Sequence, residues 1–259
     1  MTGSIEKPDM AFLFRFDMTH YFITGASSGI GAALAGQLTA AGHQVSAVAR
    51  RQQRLAALSK QLDEFHGYAA DVGDAANLGA AIDKAKAKSG PIDVAILNAG
   101  IYQPQDGTKI DSQIYANHMT INYLGVVNAL AGLVPDMVRD GIGHIAIVSS
   151  VAGWRGLPKA AAYGPTKAAL ISLAESLYFD LVPHGIKIQV ICPGFVDSEA
   201  TAVNDFEMPD LISAESAAEA IIDGMQGNNF SINFPKSFTR KMRLLRLLPD
   251  RLFFHLVRK

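Results

Sequence analysis

A chain of 259 residues, 49% hydrophobic and 18% charged, is long and apolar enough for one packed α/β domain and carries no internal repeat or low-complexity linker. With a net charge of −1 and no aromatic-basic binding module, it is not read as a nucleic-acid binder. A single cysteine, Cys192, excludes an intrachain disulfide and fits a reducing, cytoplasmic compartment.

Residues 1–17 precede the first strand. The apolar run Met10 to Phe14 is too short to span a bilayer. Glu6 and Asp9 stand where a signal peptide would be basic, so the segment reads as a cap or an ordered arm. Tyr21 to Ile23 then reads as a strand. It leads into Thr24-Gly-Ala-Ser-Ser-Gly-Ile-Gly31 and an Ala-rich helical stretch from Ala32 to Ala41. A strand, a glycine-rich turn and a helix are the context a dinucleotide fingerprint requires. Gly25 permits the tight turn; Gly29 and Gly31 allow close approach of a pyrophosphate and of helix to strand. Ser27, Ser28 and Ile30 complete the loop, and the diphosphate is expected at the helix N-terminus, where unpaired N–H groups favour anions.

A second strand, Val45 to Ala49, ends in Arg50-Arg51, and no Asp or Glu lies between Val45 and Gln61. An acid at this point would bind the 2′-hydroxyl of NAD, whereas a guanidinium suits the 2′-phosphate of NADP. NADP(H) is therefore expected over NAD(H), with Arg50 as the main contact. Alternatively both arginines open a solvated helix running through Arg54 and Lys60. Asp71-Val72 follows a third strand, where Asp71 can accept from an adenine amino group. Asn98-Ala99-Gly100 ends a fourth, Val94 to Leu97, where glycine leaves room beside a nucleotide. These motifs recur at carboxyl ends of alternating strands, where open parallel sheets bind ligands. The expected fold is a single doubly wound Rossmann-type domain over residues 18–235, with about seven parallel strands and helices on both faces.

Tyr163-Gly-Pro-Thr-Lys167 places a phenol and an ammonium four residues apart, on one face of a helix, with Ser150 thirteen residues upstream. The lysine charge is expected to lower the phenol pKa, and the Ser150 hydroxyl to hold a substrate oxygen. Pro165 is tolerable only near a helix start, which predicts a helix from about Ala161. Cys192 reads as a small buried side chain under the Pro193-Gly194 turn. Residues 236–259 form a basic amphipathic tail with eight Lys or Arg and one acid, Asp250: a net charge of +7 against −8 for the rest. Pro249 splits it into two short helices, Arg243, Arg246 and Arg251 facing outward. Its apolar residues can cover the substrate cleft or a partner subunit, or the tail can lie on an anionic membrane surface.

Taken together, the motifs from roughly Thr19 to about Asn233 resemble the short-chain dehydrogenase/reductase family in its single-domain form. The resemblance implies a catalytic tetrad of Asn122, Ser150, Tyr163 and Lys167. Asn122 lies in Thr120-Ile-Asn-Tyr-Leu-Gly125, and the spacing to Tyr163 selects Ser150 over Ser149. Pro193-Gly194-Phe-Val-Asp-Ser198 resembles the turn after the sixth strand, which adds Pro193, Gly194, Val196 and Ser198 to the cofactor set. The family usually has Thr where this chain has Ser198; the hydroxyl that would meet the nicotinamide amide is kept. By the same resemblance Tyr163 and Lys167 also touch the cofactor, Lys167 through the nicotinamide ribose, and Asn122 positions a water linking Lys167 to solvent. A homodimer or homotetramer is implied, and no metal.

The expected activity is hydride transfer between nicotinamide and a carbonyl or alcohol, with Tyr163 as general acid and Ser150 stabilising the reacting oxygen. Trp154, Leu157, Tyr102, Phe195 and the Ala200 to Leu211 loop form the expected cleft wall, with Ser150, Trp154, Tyr163 and Phe195 meeting a substrate that is lipid-like, steroid-like or aromatic rather than a sugar. Two rivals remain. A nonenzymatic NADP(H)-binding sensor or scaffold would not need the intact tetrad, and an NAD-linked alcohol dehydrogenase is opposed by Arg50 and the missing acid.

Overall fold

The computed structural model describes residues 18–257, so the cap or arm expected for residues 1–17 lies outside the described residues. The described residues form seven strands: β1 (His20–Thr24), β2 (Gln44–Ala49), β3 (Phe65–Ala69), β4 (Val94–Leu97), β5 (Gly143–Val148), β6 (Ile186–Pro193) and β7 (Ser231–Phe234). They form one all-parallel sheet in the order β3-β2-β1-β4-β5-β6-β7. Central strands such as Val94-Ala-Ile-Leu97 are buried at every position, as a parallel sheet covered on both faces requires. Between and after the strands run α1 (Gly29–Ala40), α2 (Gln52–Leu58), α3 (Ala75–Ser89), α4 (Ser112–His118), α5 (Gly125–Asp140), α6 (Gly164–Leu181), α7 (Ala214–Gln226), α8 (Lys236–Arg246) and α9 (Asp250–Val257).

The core has two layers. Leu34 and Leu38 of α1, Leu55 of α2 and Ile221 of α7 pack on one face of the sheet. Ile82 of α3, Leu130 and Leu133 of α5 and Leu170 of α6 pack on the other. The chain winds outward from β1 to β3, then returns to place β4 on the other side of β1. Loops after β1 and β4 therefore diverge at the carboxyl end of the sheet, and the crevice between them is where this topology binds ligands. The rod Ser112–Asp140, formed by α4, a π-helical segment Met119–Leu124 and α5, is long and apolar enough to cross a membrane, but its apolar side packs into the sheet core.

Helix α6 begins at Gly164, not near Ala161. Pro165 has no N–H to give to a carbonyl four residues back, so a helix already running at Ala161 would lose that bond and clash with the ring. Instead the Tyr163 carbonyl accepts from the N–H groups of Thr166 (3.0 Å) and Lys167 (3.2 Å), and Pro165 sits in the first turn. Tyr163 and Lys167 still lie one turn apart.

The tail folds as two helices separated at Pro249, and α8 lays one of its apolar faces, Phe238 and Met242, over the cleft. Phe238 and Met242 are buried with Val151, against Trp154, Leu157 and Phe195. One side chain ties the two helices to the body. Arg155 donates through Nη1 to the carbonyls of Arg246 (3.1 Å) and Leu248 (2.6 Å) at the end of α8, and through Nη2 to the Asp250 carboxylate (2.6 Å) at the start of α9. Its guanidinium also stacks 3.9 Å from the Phe253 ring centroid. A cation on the last carbonyls of a helix satisfies acceptors that the helix itself cannot. Arg155→Met is accordingly expected to lower stability by about 2–3 kcal/mol, the scale of losing charge-assisted hydrogen bonds, and to open the α8–α9 junction. Urea unfolding and limited proteolysis read both effects; an unchanged cleavage pattern would show that α9 is held by other contacts.

Candidate active site

The glycine-rich turn is built by its neighbour strand. Thr24, the last residue of β1, accepts at Oγ1 from the N–H groups of Asn98 and Ala99, both at 3.0 Å. The Asn98 amide donates back to the carbonyls of Thr24 (3.1 Å) and Gly25 (3.3 Å). The Asn98 side chain thus braces the turn. Thr24, which in sequence opens the glycine-rich segment without a role of its own, is its other half; a hydroxyl on the last strand residue before the glycine is the signal that marks it. Gly25 has φ +75°, a conformation that favours glycine, and a Cβ there would lie 2.7 Å from the Ala99 Cα. A Cβ on Gly31 would lie 2.4 Å from the Gly25 carbonyl oxygen. Ser28 stands at the N-cap of α1 in extended conformation and makes no side-chain cap, so the first N–H groups of the helix point outward without a local acceptor. A tight turn on an uncapped helix N-terminus fits a dinucleotide pyrophosphate.

At the end of β2 the two arginines differ. Arg50 is exposed, and its side chain makes no hydrogen bond or ion pair among the described residues. Arg51 donates to the hydroxyls of Ser27 (2.8 Å from Nη2) and Ser28 (2.6 Å) and pairs with Glu199 (2.6 Å). Arg54 pairs with the other Glu199 oxygen. These guanidiniums hold the Glu199 carboxyl well down, to about 2. Glu199 lies in the loop after β6 and was missed in sequence because it lies 148 residues from Arg51. Farther along the edge, Asp71 accepts at Oδ1 from the Gly73 N–H (2.9 Å). Val72 is buried, close enough to Gly125 that a Cβ there would meet its Cγ2 at 2.7 Å.

The tetrad residues converge across β4, β5 and α6. Ser149 and Ser150 part company: Ser149 Oγ donates to the Lys167 carbonyl (2.7 Å) in the interior, while Ser150 caps the 3₁₀ turn Val151–Gly153, accepting from the Ala152 N–H (3.1 Å). Having accepted there, the Ser150 hydroxyl keeps its own proton to donate. Lys167 Nζ donates to the Val148 carbonyl (2.9 Å) and lies 5.5 Å from the Tyr163 ring centroid. A Cβ on Gly100 would come within 3.5 Å of that Nζ and 3.3 Å of Asn122 Oδ1. Asn122, fully buried, clamps the backbone of Ile101: Oδ1 accepts from its N–H (2.7 Å) and Nδ2 donates to its carbonyl (3.0 Å). It sits in the π-helical segment, whose wider turn re-aims side chains and recurs at functional sites.

One electrostatic expectation reverses. Lys167 does not draw the Tyr163 phenol down: burial pushes the phenol up, to about 12, the Ser150 hydroxyl opposing it. The ring retains partial exposure to the cleft, so solvent counters part of that rise. The same burial lowers Lys167 to about 8. Both groups are taken out of water, which disfavours the charged form of each, and the ammonium is directed at the Val148 carbonyl rather than at the phenol oxygen. Cys192 is buried beneath Trp154 and Ser149 and pushed up to about 11, a packed thiol as expected.

The cleft wall is aromatic. Tyr102 meets Tyr163 edge-on at 5.1 Å, and Phe195 meets Phe206 at 5.7 Å and Phe238 at 5.4 Å. Phe238 comes from α8, so the tail supplies part of the wall. Gly194 is glycine because a Cβ would strike the Phe238 ring at 2.6 Å. Pro193 ends β6 next to it. Val196 is buried and bridges Ile212. Ser198 is organised by Thr201, whose hydroxyl accepts from the Ser198 N–H (3.1 Å) and donates to the Val196 carbonyl (2.6 Å). A Cβ on Gly29 would lie 3.3 Å from the Ser198 Cβ, so this turn closes directly over the glycine-rich one. The loop beyond is pinned by Asp205 to Lys159 (2.7 Å). Among the described residues no cluster of three metal-ligating side chains exists.

The short chain dehydrogenase family profile matches residues 19–208. An uncharacterized oxidoreductase of Myxococcus xanthus is 34% identical over 238 residues, covering 89% of this chain and 93% of that protein. A 3-dehydrosphinganine reductase of Arabidopsis thaliana is 32% identical over 231 residues, covering 82% and 69%. Among solved structures, a short chain dehydrogenase/reductase of Burkholderia phymatum in complex with NAD superposes with a TM-score of 0.81 at 25% identity, covering 90% of this chain and 94% of that one. A short-chain dehydrogenase of Sphingobium yanoikuyae in complex with NADPH superposes with a TM-score of 0.77 at 25% identity, covering 90% and 97%.

Proposed function

We propose that the chain, which belongs to the short-chain dehydrogenase family, is an NADP(H)-dependent oxidoreductase that interconverts an apolar carbonyl compound and its alcohol. The observation that carries this reading is the meeting of Tyr163, Lys167, Ser150 and Asn122 at the carboxyl end of the sheet, beside an uncapped helix N-terminus and a glycine cradle. A bound nicotinamide would supply hydride chemistry at the carbonyl carbon. The turn Gly25–Gly31 would hold the pyrophosphate, Asp71 and Val72 the adenine, and Lys167 and Ser198 the nicotinamide end.

The chain's own residues handle the oxygen. Ser150 Oγ, held in place by the Ala152 N–H, donates its own proton to the substrate oxygen and stabilises charge developing there. Tyr163, kept protonated by burial, delivers its phenolic proton to the same oxygen in the reductive direction and takes it back in the oxidative one. Lys167 holds a positive charge behind the phenol. Asn122 fixes the Ile101 backbone, and with it the loop that brings Tyr102 against Tyr163. Trp154, Phe195, Phe206 and Phe238 make the substrate pocket apolar, and the Arabidopsis relative, a 3-dehydrosphinganine reductase, supports a carbonyl substrate. Phe179, 77% exposed on α6 beside the exposed Tyr178, is apolar surface suited to a second copy of the chain, in keeping with a homodimer or homotetramer.

The direct test is a panel of apolar ketones and alcohols assayed with NADPH and NADH; no turnover on any of them with either cofactor would leave the sensor reading standing. The cofactor preference has its own test. The Arg50 side chain is unengaged and exposed at the end of β2, which supports a role for it at a 2′-phosphate. NADPH is expected to bind more tightly than NADH, and Arg50→Ala to narrow the gap by about 1.5–3 kcal/mol, the range for a hydrogen bond to a charged group. Fluorescence titration measures both affinities; equal values in the unmutated protein would refute the preference.

A further inference from the structure

The tail buries three of its apolar side chains, Phe238, Met242 and Phe253, and leaves five, Leu244, Leu247, Leu252, Phe254 and Leu256, exposed. On α8, Phe238 and Met242 turn inward to the cleft wall, while Arg240, Leu244 and Leu247, at positions i, i+4 and i+7, share the outward face. Leu244 is 68% exposed and Leu247 80%. On α9 only Phe253 is fully buried; Leu252, Phe254 and Leu256 stay outside. Basic side chains rim this surface: Arg240, Lys241, Arg246 and Arg251 are all exposed. The acids near it are engaged, Asp250 by Arg155 and Asp210 opposite Lys241.

We propose that the outward face of α8 and α9 docks the protein on an anionic membrane surface. Apolar residues on a helix flanked by arginine and lysine are what such a surface selects: leucine and phenylalanine enter the headgroup–acyl boundary, and the cations stay among phosphates. A second copy of the chain is disfavoured as occupant. A two-fold contact would set this basic patch against itself, and like charges would oppose the apolar gain. Arg155 makes the face rigid, since it fixes the ends of both helices to the body and so presents their exposed sides together. The inward face of α8 is a wall of the substrate cleft, so docking would bring the cleft near the bilayer; that consequence, unlike the docking, rests on the oxidoreductase reading.

Co-sedimentation with vesicles tests the docking without reference to turnover. The full chain is expected to bind phosphatidylcholine–phosphatidylglycerol vesicles at low salt, at least about tenfold more weakly in high salt, and pure phosphatidylcholine vesicles hardly at all. Leu247→Glu with Phe254→Glu should reduce binding to the anionic vesicles at least about tenfold. Both side chains are mostly exposed, Phe254 touching only the edge of Phe253, so the variant should keep its circular dichroism spectrum and thermal transition. Arg240→Gln with Arg251→Gln should weaken binding and flatten its salt dependence. Failure to bind anionic vesicles, equal binding to neutral ones, or undiminished binding by the Leu247/Phe254 variant would overturn the proposal. A change in oligomer size by light scattering in that variant, with no vesicle binding by the parent, would overturn it in favour of a second copy.

Discussion

Tyr163→Phe is expected to lower turnover at least about a hundredfold, the usual scale of general acid catalysis, while NADPH affinity stays within about twofold. The substitution keeps the ring, and with it the edge-on contact to Tyr102 at 5.1 Å and the position of Lys167 one helical turn away. It removes one atom, the phenolic oxygen, and the proton that burial holds on it. Ser150 would still donate to the substrate oxygen, so residual activity above background is expected. Steady-state kcat and a cofactor titration on the same preparation separate the two effects. Near-normal turnover would move the proton donor to another group, with Ser150 the first candidate.

Gly31→Val should abolish cofactor binding to the detection limit, a loss of at least about a hundredfold, and destabilise the fold by about 3 kcal/mol or more. A side chain at this position meets backbone first: its Cβ would lie 2.4 Å from the Gly25 oxygen and 2.9 Å from the Ala26 Cα, and 2.8 Å from the Asn98 amide nitrogen that braces the turn. Those atoms belong to the turn that Thr24 and Asn98 bolt to β4. Relief requires moving the turn off β4, which dismantles the cradle. Gly36, on the same helix, is the control. Nothing lies within 4 Å of a Cβ there, so Gly36→Ala should be neutral or stabilising by up to about 1 kcal/mol. Urea unfolding and NADPH titration on both variants decide the matter. A Gly31 variant that binds like the parent would show that the turn does not serve as the cradle.

What could be read from the chain alone was what depends on near neighbours. Val94 to Leu97 reads as a buried strand because each residue is apolar, and Thr24 to Gly31 reads as a turn entering a helix because its glycines punctuate two periodic runs. Tyr163 and Lys167 are one turn apart whatever the rest of the molecule does, since the helix rise sets their spacing. Even the misplaced start of α6 was a local matter, resolved by the missing N–H of Pro165. Pro249 likewise marked the break between the two tail helices.

Tertiary structure decided the rest, because it depends on what encloses each group. Glu199 reaches Arg51 across 148 residues, and Arg155 reaches the end of α8 across more than 90; no periodicity relates such positions. Folding brings Phe238 of the tail against Phe195, which turns a stretch legible only as amphipathic into a wall of the cleft. The sign of the Tyr163 shift was decided in the same way. Sequence spacing puts a positive charge one turn from the phenol, where it is expected to lower the pKa; enclosure by β5, α6 and the Tyr102 loop takes the phenol largely out of water, and desolvation of the phenolate raises it instead, the Lys167 ammonium being directed at the Val148 carbonyl.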